Sequence, residues 1–292
     1  MPSSNELITA VLHGLGIGGL FAVIALGLSL VFGVMRLINL AHGELIVLGA
    51  YLAYSVTQLT GIDPLLSILI VAPAVAILAY PLQRWGLTPV MSKGAEAPLL
   101  ITFGVSVVLQ NLFILAYTPD VRSLNASYAQ ANFALGDVTI PVVYVITLSA
   151  GISLLALTHL VVTRTGFGRR LRASAEDPSA AGMMGVNVQR IYAATFAMAA
   201  GSAAIAGVLV ALAFSFAPST GTAYLITGFA VVVLGGIGSI KGTLVGGLLL
   251  GIIESVGAAF VGDGWRVFIG ALVVLIVLSI RPQGLFGTTE SA

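Results

Sequence analysis

The sequence predicts an all-α membrane protein: a polytopic bundle of about 8–10 transmembrane spans, with broken helices among them. Three observations carry that expectation. Only 8% of the 292 residues are charged and 58% are hydrophobic, against roughly 25% charged residues in a soluble domain. The mean hydropathy is +1.09. The apolar residues also stand in continuous blocks, far longer than the alternating strands of about 10 residues that build an outer-membrane barrel. The 35 glycines suit helices that approach closely in lipid, where apolar burial gives little drive between helices. Cysteine is absent, which excludes disulfides and thiolate metal sites. The net charge of +1 gives no reason to expect nucleic acid binding.

The opening MPSSNELITA lacks a basic n-region and runs into an apolar block too long for a secretory h-region, so it is expected to stay as part of the first span. That span covers residues 7–35, apolar apart from Thr9, His13 and Ser29. Its Gly14, Gly16 and Gly19 match GxGxxG, but no strand precedes them and no acidic residue follows at the right distance, so they are read as helix-packing positions. The break RLINLAHGE then places Asn39, His42 and Glu44 between two apolar blocks. It reads as a cytoplasmic turn or as a broken helix lining a path.

Further spans are expected at residues 45–59, 65–82 and 98–117, the second of them containing Pro73, which neighbouring helices can tolerate as a kink. Arg84 and Lys93 place the loop between the third and fourth spans inside. Residues 118–140, with Asp120, Arg122 and Asp137, are polar without a positive excess and form an external segment. A fifth span at 141–162 leads into the one long polar break, residues 164–190, which holds five of the 12 basic residues and therefore marks the cytoplasmic side. Inside it Asp177 can cap a short helix, Pro178 fits the first helical position and Gly185 can close the helix in a left-handed conformation.

Spans at 191–214, 224–234, 243–261 and 265–280 complete about nine crossings. The amino terminus is then outside and the carboxyl terminus inside. The turn at 215–223 is external and open to a re-entrant reading. The segment GGIGSIKG, with Gly236, Gly238 and Ser239, forms a second break, and its position after an inward span pairs it with the break at Asn39–Glu44. Paired interruptions in two halves point to the translocation site of repeat-built transporters.

Glu254, a carboxyl group within a span, should face the bundle interior, protonate or find a partner. Asn39, His42, Glu44, Gly236, Gly238, Ser239 and Glu254 are the candidate path residues. His13 and His159 are isolated near span ends. Neither HExxH nor GxSxG occurs, and Lys241 in GSIKGT has the wrong order for a phosphate loop. Catalytic, metal and cofactor sites are therefore not expected, and any ATP must be hydrolysed on another chain.

Four ordered segments, GVMRLINLAHGE, GRRLRASAEDPSAAGMMGVN, VLGGIGSIKGTLVGGLLLGIIES and RPQGLFG, resemble the permease subunits of bacterial branched-chain amino acid ABC importers, and more narrowly the H-type permease of the high-affinity leucine, isoleucine and valine system. The resemblance implies one permease domain over residues 1–292 in the inner membrane. Its implied partners are a second related permease, two cytoplasmic ATPase subunits and a periplasmic binding protein that sets specificity. It also implies that residues 164–190 carry the helix that couples to the ATPase, through Glu176, Asp177, Pro178, Ala181, Gly182 and Gly185, with Arg169, Arg170 and Arg172 nearby. Rival readings are a urea or short-chain amide importer of the same class and an ion-coupled transporter using Glu254.

Overall fold

The computed structural model describes residues 2–94, 96–135, 138–281 and 283–286. Asp137 of the external segment and Pro282 of the RPQG ending lie outside the described residues. The chain is a helical membrane bundle. Among the described residues, eight helical stretches are long and apolar enough to cross a bilayer, and a further helix, α2, is long enough but more polar.

The first helix, α1 (Ser4–Met35), is the central post. Ser3 and Glu6 close a capping box at its start, and most of its length is buried. Its glycines are contact points, as expected: a methyl on Gly14 would fall 2.6 Å from the Ile252 Cα, and one on Gly19 would fall 2.5 Å from the Leu148 Cα. After α1 the backbone turns back at Arg36, in the left-handed conformation. The second helix, α2 (His42–Thr60), begins at His42, so the expected polar break shrinks to residues 36–41 and His42 and Glu44 belong to a first helical turn.

Asp63 caps α3 (Pro64–Pro81), which runs through Pro73 and continues as a π turn and a 3-10 turn to Lys93. Then follow α4 (Glu96–Tyr117), a hairpin of β1 (Asn132–Leu135) and β2 (Val138–Pro141), and α5 (Val142–Arg164). The hairpin was not legible in residues 118–140.

Where one short helix is expected in the arginine-rich break, two form: α6 (Gly166–Glu176) and α7 (Pro178–Met183). The last four are α8 (Val188–Ala213), α9 (Gly221–Gly235), α10 (Ile240–Val261) and α11 (Arg266–Ile280). A 3-10 turn at Pro218–Thr220 runs straight into α9, so the seventh crossing begins before the expected Tyr224.

Packing exposes an internal exchange. The post α1 lies against α10 and α9, and α8 lies against α3 and α2 in the same way; α1 also meets α8, and α2 meets α9. The units α1–α4 and α8–α11 therefore play exchanged roles. This corrects the pairing of interruptions drawn from sequence. The break after α1 corresponds to the break between α8 and α9, not to the glycine-rich turn between α9 and α10. Small residues misled the comparison, because they recur wherever helices pack closely.

Candidate translocation site

The two half-breaks bring α2 and α9 together by their first turns. A methyl on Gly221, the first residue of α9, would stand 2.5 Å from the carboxyl carbon of Glu44, in the first turn of α2. The Glu44 carboxyl is 2% exposed. Its Oε1 accepts a 3.5 Å hydrogen bond from the Ser106 hydroxyl of α4, while Oε2 has no partner among the described residues. Ser106 lies ten residues from Glu96, the start of α4. At 1.5 Å per residue this sets Glu44 about 15 Å from the Glu96 end of that helix, half the thickness of a hydrocarbon core of about 30 Å.

Asn39 and His42 build the turn that presents Glu44. The Asn39 side-chain oxygen accepts from the Ala41 amide at 3.1 Å, and the Leu40 amide donates to Thr102 of α4 at 3.3 Å. His42 is fully buried, with Nε2 2.8 Å from the Ile24 carbonyl of α1. A carbonyl only accepts, so Nε2 carries a proton and donates it to this bond. Asn39, His42 and Glu44 are thus brought together, with different jobs: Asn39 closes the turn before α2 on itself, His42 fastens α2 to α1, and Glu44 faces α9.

The other expected path residues lie elsewhere. Gly236 and Gly238 take positive φ values of 101° and 78°, conformations that a side chain would strain. Ser239 caps α10 through a 3.0 Å bond from the Gly242 amide. This turn sits at the far end of α9, where Gly284 packs against it and the amides of Leu285 and Phe286 donate to the carbonyls of Leu234 and Gly235. Glu254 is buried at the α10–α11 contact, where its carboxyl occupies the space beside Gly270.

Further along α2, towards Thr60, the same elements carry an aromatic plug. Tyr51 of α2 is fully buried and stacks on Tyr117 of α4 at 4.3 Å between ring centroids, with Phe113 at 5.2 Å and Phe216 of the α8–α9 break at 4.9 Å. Arg122 closes it from above. Its guanidinium lies 4.9 Å from the Tyr54 ring centroid and donates to the Tyr117 carbonyl at 2.8 Å. Sequence reading missed this plug, since its rings are spread over three separate segments.

At the opposite end, α6 and α7 form a platform. Asp177 Oδ1 accepts from the amides of Ser179 and Ala180 at 2.8 and 3.0 Å, Pro178 starts α7, and Gly185 closes it at φ 83°. Ala181 is buried, whereas Glu176, Gly182, Arg169 and Arg170 are exposed. Arg172 donates to the Val162 carbonyl and so ties α6 to the end of α5. Met183 and Met184, not singled out from sequence, are 83% and 85% exposed at the tip of α7.

Residues 10–277 match the family described as the permease component of the branched-chain amino acid transport system. The chain is 31% identical to the high-affinity branched-chain amino acid transport system permease protein BraD of Pseudomonas aeruginosa, over 99% of both chains. It is 32% identical to the corresponding permease protein LivH of Escherichia coli, over 95% of this chain and 94% of that one. A probable branched-chain amino acid transport permease protein of Methanocaldococcus jannaschii is 29% identical over 92% of this chain and 89% of the relative.

Proposed function

This chain belongs to the family of branched-chain amino acid transport permease components, and from that premise we propose that it is the membrane-spanning permease of an ATP-driven importer that carries branched-chain amino acids into the cytoplasm. The near full-length identity to the two named permeases is the observation that carries this reading. A bundle of eight apolar crossing helices agrees with it. In this reading residues 1–292 act as a single permease domain of the inner membrane. The arginine-rich segment 164–190 faces the cytoplasm together with the carboxyl terminus, and residues 118–140 face outside.

The chain carries out no covalent chemistry, and ATP is hydrolysed on two separate ATPase subunits. A second related permease completes the pore, and a periplasmic binding protein delivers the substrate. Movement is coupled through α7. A partner groove receives its exposed tip, Gly182 with Met183 and Met184, while the Asp177 cap keeps it helical and Arg169, Arg170 and Glu176 meet the partner's charges. Since α7 is tied through α6 to α5 and directly to α8, displacing it shifts the membrane helices and biases the inward-open and outward-open states. Asn39, His42 and Glu44 lie on the path; Gly236, Gly238, Ser239 and Glu254 support the helices that line it.

The test is uptake into proteoliposomes holding both permeases and the ATPase subunits, with the binding protein supplied. ATP-dependent accumulation of leucine, isoleucine or valine is the expected result. Uptake that persists without the ATPase subunits and follows a proton or sodium gradient would overturn the reading, and accumulation of urea alone would reassign the substrate.

A further inference from the structure

We infer that Glu44 is the acceptor that receives the ammonium group of the amino acid in transit, an inference that rests on the importer reading above. A buried carboxyl group is costly unless hydrogen bonds serve its oxygens, because each unmet polar atom in a low-dielectric interior has lost its hydration. Glu44 is short of such bonds. It is 2% exposed, Oε1 has only the long Ser106 bond, and Oε2 has no hydrogen-bond partner among the described residues. Packing would be met as well by leucine or glutamine. A carboxylate with a free oxygen is complementary to a donor that carries positive charge.

Its position identifies the donor. Gly43 and Gly221 are pressed together where the first turns of α2 and α9 meet, at the crossing point of the two exchanged helix units. Solutes of repeat-built carriers bind at such a junction, near the membrane midplane. Only one unit brings a charge there: the first turn of α2 contains Glu44, and the corresponding turn of α9 has Gly221, Thr222 and Ala223. The groups that flank the carboxyl are glycine backbone and one hydroxyl, none of them charged. An ammonium group has three donors and no acceptor. It would satisfy Oε2, and the carboxylate would replace the hydration that the zwitterion loses on leaving water. When the site is empty, water or a proton on Glu44 serves the same oxygen.

Glu44→Gln keeps the size and one acceptor but removes the charge, so it separates charge recognition from packing. In proteoliposomes with the complete importer, the expected result is at least tenfold slower leucine uptake, with ATPase stimulation by the loaded binding protein and thermal stability within twofold and about 2 °C of wild type. Ser106→Ala, which leaves the charge in place, is expected to retain more than a third of wild-type uptake. Glu44→Gln uptake within twofold of wild type would overturn the assignment, as would an equal loss in Ser106→Ala, which would mark a packing network. Failure of the wild-type complex to take up leucine would instead overturn the importer reading.

Discussion

Gly43 and Gly221 meet backbone to backbone: a methyl on Gly43 would overlap the Gly221 carbonyl, and one on Gly221 would press into the carboxyl group of Glu44. The two substitutions therefore differ in kind. Gly43→Ala drives a fixed main chain apart, whereas Gly221→Ala strikes a side chain that can rotate. Overpacking costs about 1–3 kcal/mol. Gly43→Ala is expected at or above the top of that range and Gly221→Ala at the bottom, measured by thermal unfolding in detergent. Both should impair uptake, since each moves the α2–α9 junction.

On α7, nothing of this chain lies within 4 Å of a Cβ at Gly182. Gly182→Arg should leave folding and detergent stability unchanged while abolishing ATPase coupling in the assembled importer. Normal transport would sink the coupling assignment. Asp177→Ala removes the cap from two amides and should loosen α7 by about 1 kcal/mol, giving partial uncoupling; Asp177→Lys adds a cation at the helix start and should uncouple more fully.

The strap over the aromatic plug hangs on Arg122. Its main chain forms an antiparallel bridge with Phe216, with both hydrogen bonds at 2.8 Å, so the backbone pairing survives Arg122→Ala and the guanidinium contacts with Tyr117 and Tyr54 do not. Their loss is expected to cost about 1–3 kcal/mol. Limited proteolysis should then cut residues 118–131 faster than in wild type; an unchanged rate would show that the main-chain bridge alone holds the strap.

Tyr128 fastens the same segment to the α2–α3 turn. Its hydroxyl donates to Asp63 Oδ1 at 2.9 Å, the oxygen that also caps α3 through the Leu65 amide. Burial, and then the bond to Asp63 and its charge, push the Tyr128 hydroxyl up to about 12. The unfolded chain releases that proton near pH 10. The unfolded state thus binds fewer protons above pH 10, and the stabilisation is complete below pH 10 and lost as pH rises towards 12. Tyr128→Phe should flatten that part of the stability profile, read by thermal unfolding at stepped pH.

At the Gly235 end of α9, Gly284 adopts φ 75° against Val233 and Gly236 while the next two amides cap the helix. Gly284→Val is expected to strip both caps and lower detergent stability by about 2 kcal/mol or more. Wild-type stability would mean that α9 ends are satisfied without the tail.

Much of this architecture was legible because its causes are local. The crossings follow from apolar length, which must match the bilayer. The Asp177–Pro178 start and Gly185 stop of α7 follow from capping chemistry that acts over three or four residues. The Asn39–Glu44 break stood out because polar residues rarely interrupt apolar blocks. The amphipathic α6 escaped notice because its arginines read first as a topology signal.

The sequence by itself determined that this chain is a helical membrane protein, where its long apolar helices lie, and which loop carries the arginines, because hydrophobic run length and helix capping depend on near neighbours alone. Only the tertiary structure decided that Glu44 faces Gly221, that the α1 break answers the α8 break, and that Tyr51 stacks on Tyr117 and meets Phe216 edge to face. Those contacts join residues 66 to 177 positions apart, and small residues permit many pairings of helices. The choice among them is made by shape complementarity between whole helices, to which no single segment holds the key.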